Sequence, residues 1–221
     1  MDWYPLINSL RIAAVSTVAV FFLGLGAACV IAKLPRTVRA LLDVVLTLPL
    51  VLPPTVVGYL LLLVLGPRRP IGAWALEVFG VRLTMTWYSA IFACVVVAFP
   101  LMYRTARGAF EAYDKTLTHA ALTLGKSRVW AFWRVQVPGC AQGILAGAVL
   151  AFAREYGATA MVAGYTPGQT ATVSTTVYQL WRTGDDALAF RWVLVNVAIS
   201  AVVLLAMNWL EGRARTQGRR T

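Results

Sequence analysis

The chain has 221 residues, 59% of them hydrophobic and only 13% charged, with a mean hydropathy of +0.70. Soluble domains carry about 25% charged residues, so the apolar surplus exceeds what a water-soluble core of this size can bury and needs an apolar solvent. The net charge is +11, but the basic residues sit between apolar runs, a distribution that orients a membrane protein and leaves no nucleic-acid partner to be expected.

The first uncharged run, Ile12–Ala32, has about 21 residues and at ~1.5 Å per residue crosses a ~30 Å hydrocarbon core. Only Arg11 closely precedes it and no small-residue cleavage site stands before Lys33, so it is expected to be a retained span. Further runs cover Val44–Pro67, Leu83–Tyr103, Val135–Ala153 and Trp192–Leu210. Backbone polarity in lipid leaves helices or closed barrels, and runs this long without strict alternation predict helices. The expected fold is an all-α polytopic membrane helix bundle of about five transmembrane helices, near 10–32, 44–66, 84–104, 137–162 and 191–210. They make one transmembrane domain over 1–211, with a loop over 105–136 and a basic tail over 212–221.

Tyr156–Trp181 is uncharged but different in kind, holding Thr159, Thr166, Thr170, Thr172, Thr175 and Thr176 with Gly164, Pro167 and Gly168. Its first part extends the fourth helix, and the rest reads as an external loop with a short helix or re-entrant turn, a sixth span being the alternative. Orientation follows from Lys and Arg. Thirteen fall on one side: Lys33, Arg36, Arg39, Arg104, Arg107, Lys115, Lys126, Arg128, Arg134, Arg213, Arg215, Arg219 and Arg220. Five fall on the other: Arg68, Arg69, Arg82, Arg182 and Arg191. The expected N-terminus is outside and the C-terminus cytoplasmic, with an odd number of spans.

The second run carries Pro49, Pro53 and Pro54 within Leu48–Gly58. Each proline removes a backbone donor and kinks a helix, so this span either faces protein or a cavity, or is kinked for packing alone. In the long loop, Asp114 can cap a helix in which Leu117, Ala120, Ala121 and Leu124 recur at helical spacing. Gly125 stands where a C′ glycine belongs, Ser127 can cap a second short helix bearing Val129, Trp130, Phe132 and Trp133, and Pro138 suits the first turn of the next span. Such a helix–Gly–helix element either lies on lipid headgroups or docks a soluble partner. Arg154 and Glu155, at the end of the fourth run before Gly157 and Thr159, either line a pathway or serve packing.

Cys29, Cys94 and Cys140 lie in or beside apolar runs without metal-ligand spacing, and His119 is the lone histidine, so no metal site or catalytic residue is expected. Gly125-Lys126-Ser127 ends like a phosphate-binding loop, but Ala120 stands where its first glycine belongs, so no nucleotide site is expected in this chain.

His119-Ala-Ala-Leu-Thr-Leu-Gly125, nine residues, then Val135-Gln-Val-Pro138 resembles the EAA loop of ABC importer permeases, with His119 departing at the Glu position. Leu41–Leu62, Ala151–Thr159 and Thr166–Thr170 resemble the second span, fourth-span motif and external loop of the molybdate-type branch. In the fourth-span motif Arg and Glu are usually separated, whereas Arg154 and Glu155 are adjacent. The resemblance implies a permease homodimer in the bacterial cytoplasmic (inner) membrane, in contact with lipid, two cytoplasmic ABC ATPases and a periplasmic or extracellular oxyanion-binding protein. ATP and Mg would be held by the ATPase and no cofactor by this chain. Coupling falls to Leu117, Ala120, Ala121, Leu124, Gly125 and Pro138. The path falls to Pro53, Pro54, Thr55, Gly58, Arg154, Glu155, Gly157 and Thr159. Molybdate is the expected cargo and tungstate its near equal. A sulfate/thiosulfate-type permease is the alternative, ahead of a secondary transporter or membrane-embedded enzyme.

Overall fold

The computed structural model describes residues 2–155 and 160–217, with side chains over 2–152 and 162–205. From the N-terminus run α1 (Tyr4–Ile31), α2 (Arg36–Val51), α3 (Pro54–Leu65), α4 (Pro70–Phe79) and α5 (Trp87–Ala112). Then come α6 (Lys115–Thr123), α7 (Arg128–Ala131), a π-helical segment (Phe132–Gln136), α8 (Val137–Gly139) and α9 (Ala141–Glu155). The chain closes with α10 (Ala160–Ala163), α11 (Val173–Thr183) and α12 (Asp186–Gln217). The described residues form no strand. Three helices, α1, α5 and the Asp186–Leu205 part of α12, are each long and apolar enough to cross a membrane; counting each of two bent helix pairs as one span makes up to five.

The centre is α5, packed between α1 and α9. Lipid tails are as apolar as leucine, so helices in a bilayer associate through close packing, which small residues permit. Ala90, Ala93, Ala98 and Ala106 of α5 are accordingly buried. A Cβ on Gly24 would stand 2.7 Å from Met102 Cγ, and one on Gly143 would stand 2.6 Å from Ala109 Cβ. Glycine at these two points sets the α1–α5 and α5–α9 distances.

The run expected as one helix over 44–66 is two helices, α2 and α3, meeting at 112°. Proline excludes the helical conformation from the residue before it, so Leu52 and Pro53, each followed by a proline, take extended ψ angles of 144° and 139°. Pro54 then opens α3 at a position where no N–H is needed. The helix expected over 84–104 continues to Ala112, so the loop begins later than expected. The fourth run is bent by 69° between Gly139 and Ala141.

At the end of the bundle that holds the N-terminus, the loop after α10 is pinned to α1. Tyr4 Oη donates to the Gln169 carbonyl at 3.0 Å, Asn8 Nδ2 to that of Ala171 at 2.9 Å, and the Val173 N–H to Ser9 Oγ at 3.0 Å. The 11 residues of α11 reach only about 16 Å, too short to cross.

Candidate functional site

The α5–α9 loop is an ordered unit built by local signals. The Thr116 N–H donates to the Asp114 carboxylate at 2.9 Å, and this bond with the Thr116 side chain holds the Asp114 carboxyl below the usual carboxylate range. At the far end of α6, Gly125 N–H donates to the Leu122 carbonyl at 3.0 Å and Lys126 N–H to that of Ala121 at 3.1 Å. These are the paired bonds of a Schellman cap, which needs a left-handed residue, and Gly125 supplies it at φ 79°. Ser127 Oγ then accepts from the Trp130 N–H at 3.2 Å and starts α7. Two caps facing each other across Gly125 and Lys126 fix the angle between α6 and α7.

Within that unit Ala121 alone among the coupling candidates is buried, with 8% exposure. Leu117 is 54% and Leu124 79% exposed, and Ala120, Gly125 and Pro138 are exposed too. The loop thus holds its shape from within while turning an apolar row outward. Among the proposed path residues, Pro53, Pro54 and Thr55 are exposed at the α2–α3 break, and Gly58 is buried one turn into α3. The backbone of Arg154 and Glu155 ends α9, and their side chains lie outside the described residues, as do Gly157 and Thr159 altogether.

A polar cluster that sequence reasoning missed ties α2 to α5. Arg107 forms an ion pair with Asp43, and Tyr103 Oη donates to the same carboxylate. Arg107 Nε also donates to Glu111 at 2.8 Å, one helical turn on. Tyr103 is buried and stacked on Phe99 with centroids 6.0 Å apart, so its hydroxyl is held in place. A recess of about 420 Å³ opens beside the cluster, lined also by Thr47 and Arg104. Arg39 donates to the Ala32 carbonyl at 3.2 Å, so the first turn of α2 is tied to the end of α1 as well. The cluster can transmit displacement between α2 and the loop-bearing end of α5. Asp43 stands one residue before the second uncharged run, and its partner lies on another helix, so only Asp43 itself carried a local signal.

Residues 21–216 match the family described as binding-protein-dependent transport system inner membrane component. The chain is 37% identical over 223 residues to the molybdenum transport system permease protein ModB of Escherichia coli K12, covering 99% of this chain and 97% of that one. It is 37% identical over 203 residues to the putative molybdenum transport system permease protein YvgM of Bacillus subtilis, covering 90% of this chain and 89% of that one. In fold it resembles a chain of a bacterial alginate ABC transporter in complex with a periplasmic protein bound to an alginate pentasaccharide. That match has a TM-score of 0.76 at 18% identity and covers 96% of this chain and 78% of that one. An all-α bundle of membrane-crossing helices, the capped loop before α8 and a likeness running through both place this chain in the family of inner-membrane components of binding-protein-dependent transport systems.

Proposed function

We propose that this chain is the permease subunit of an ATP-driven importer that carries molybdate, with tungstate as a close second substrate. The observation that carries this reading is the likeness to molybdenum permeases, which runs from end to end of the chain rather than over a shared motif. Two copies form the pathway, each docked to a cytoplasmic ATPase that binds ATP and Mg, and an external binding protein delivers the oxyanion. The N-terminus is outside and the C-terminus cytoplasmic, a reading supported by thirteen basic residues against five.

The outward row of Leu117, Ala120 and Leu124 meets the ATPase, and the Gly125 cap keeps α6 at the angle at which a push is passed on. ATPase closure draws the two loops together, and the bundles rock between inward-facing and outward-facing states. The exposed apolar face of α2 and the turn at Pro53–Thr55 lie along the axis between the two copies.

The test is reconstitution of the full chain in liposomes with its ATPase and binding protein. Molybdate should stimulate ATP hydrolysis and enter the vesicles, with sulfate well behind. Sulfate or thiosulfate entering as fast would move the assignment to the sulfate-type branch. Uptake without ATP would point to a secondary transporter and end the proposal. Reporters fused after Thr221 and near Gly168 should read opposite sides of the membrane.

A further inference from the structure

We propose that the groove between the end of α1 and the inner side of the α5–α9 loop binds an anionic phospholipid, phosphate between Lys33 and Arg128 and one acyl chain along α1. The groove holds about 560 Å³, within the ~300–1,000 Å³ range of ligand sites. Its walls are mostly apolar, with Phe110, Phe132 and Trp133 among them, and two cations line it, Lys33 from the end of α1 and Arg128 from α7. Neither cation has a carboxylate within ion-pair distance among the described residues. Two unneutralised cations beside an aromatic, apolar cleft fit a ligand with one anionic end and one hydrocarbon end.

Position selects a lipid rather than a soluble anion. Lys33 stands two residues past the end of α1, where hydrocarbon gives way to headgroups. Phe22, Gly26 and Cys29 are spaced four and three apart, so they form one stripe along α1 that leads toward Lys33. Phe22 and Gly26 are exposed, Cys29 and Lys33 line the groove, and a Cβ on Gly26 would meet nothing within 4 Å. The stripe continues the groove along α1 to a face exposed at Gly26 and Phe22, a course open to an acyl chain below its phosphate.

The same groove is a poor seat for a protein subunit. Thr118 and Leu122 face it from α6. At about 100° per residue, Leu117, Ala120 and Leu124 point more than ~100° away from that row. The docking row and the groove are therefore different faces of one helix.

The full chain, in the assembly in which it purifies, is stripped of lipid in detergent and titrated with phosphatidylglycerol or phosphatidylcholine, bound lipid being counted by native mass spectrometry. Phosphatidylglycerol should bind roughly 25-fold tighter than phosphatidylcholine, each cation contributing about fivefold. Lys33→Gln with Arg128→Gln should remove that preference, and Lys33→Arg with Arg128→Lys should keep it. Gly26→Leu begins from a Cβ with no neighbour within 4 Å and places a bulky side chain on the stripe, so it should weaken both lipids several-fold and leave the preference intact. Equal binding of the two lipids overturns the proposal, as does a preference that survives loss of both cations. Inorganic phosphate displacing phosphatidylglycerol at equal concentration would assign the cations to a soluble anion. Should the glutamine variant shed a partner subunit with lipid binding unchanged, the groove is a protein interface and the proposal falls.

Discussion

Helices α2 and α5 come from similarly apolar stretches of chain, yet one has no buried residue and the other is buried along much of its length. On α5 the buried positions mix small residues (Ser89, Ala90, Ala93, Cys94, Ala98 and Ala106) with Val97, Pro100, Met102, Tyr103 and Phe110, and glycines of α1 and α9 face it. On α2 several large residues point outward, with Leu41 65% and Val51 81% exposed, while Leu42 and Leu46 rest partly buried against the core. The difference teaches that hydropathy identifies a membrane helix without saying which helix the others close around, and here that is the helix crossed at Gly24 of α1 and Gly143 of α9. The large, bare residues of α2 belong to an arm held at its loop-side half by polar contacts and by Leu42 and Leu46, and turned sharply at its prolines.

The largest effect that sharpens this contrast is expected at Gly24. Leucine there drives into Met102 and the α5 backbone, and overpacking of this kind costs about 1–3 kcal/mol or more. Gly24→Leu should deplete the folded chain from the membrane, whereas Leu41→Ser on α2 should leave its level unchanged. Equal depletion by both would erase the distinction between centre and arm.

Gly125→Val comes next and separates folding from coupling. A β-branched residue at φ 79° is strained, so the Schellman cap should open and α6 lose its angle. Transport should fall by about tenfold or more, as ~1.4 kcal/mol or more of misplacement implies, with the membrane level of the chain retained. Transport at the normal rate would remove α6 from the coupling path.

Asp43→Ala should be smaller. It leaves Arg107 with Glu111 alone and strands the Tyr103 hydroxyl, and losing a charged hydrogen bond costs roughly 1.5–3 kcal/mol, less where water reaches the pair. The thermal midpoint should drop by a few degrees, and the double variant with Arg107→Leu should recover part of it. No recovery would mean that Asp43 acts apart from Arg107.

Asp114→Ala should be the mildest, loosening only the first turn of α6. Because the native carboxyl titrates below its ordinary value, its capping is full above about pH 4 and is lost as pH falls through the lowered native value. The protection of the Thr116 amide, taken relative to the intrinsic exchange rate at each pH, should therefore be constant from neutral pH to about pH 4 in the parent and lower in the variant.

What the sequence disclosed divides along the same physical line. Apolar runs marked α1, α5 and α12, and the caps at Asp114, Gly125 and Ser127 were legible because each acts within a few residues of itself. Pro53 and Pro54 announced a kink, but its 112° angle depends on what α3 packs against. The Asp43–Arg107 pair was hidden because residues on different helices share no local pattern, and a run defined as uncharged stops just short of Asp43. The path residues from Arg154 onward stay an inference from resemblance.

The π-helical turn at Phe132–Gln136 has a consequence for how α7 and α9 are phased. Trp133 and Cys140 are seven residues apart, which in an unbroken α-helix would put them within about 20° of one face. Trp133 is instead exposed and Cys140 is buried against α5, where its Sγ lies 3.4 Å from the Ala109 carbonyl oxygen. The wide turn, closed by Val137 N–H on the Phe132 carbonyl, carries one residue more than an α-turn and so shifts the phase by about 100°. With the bend at Cys140, it lets one stretch of chain show an aromatic edge on one side of the boundary and a small-residue seam on the other. Regularising this turn to an α-turn with every residue kept would turn the loop aromatics toward the side that α9 buries, whereas deleting one residue would remove the wide turn and keep the present phase, so the length of this segment is as much a part of its information as its composition.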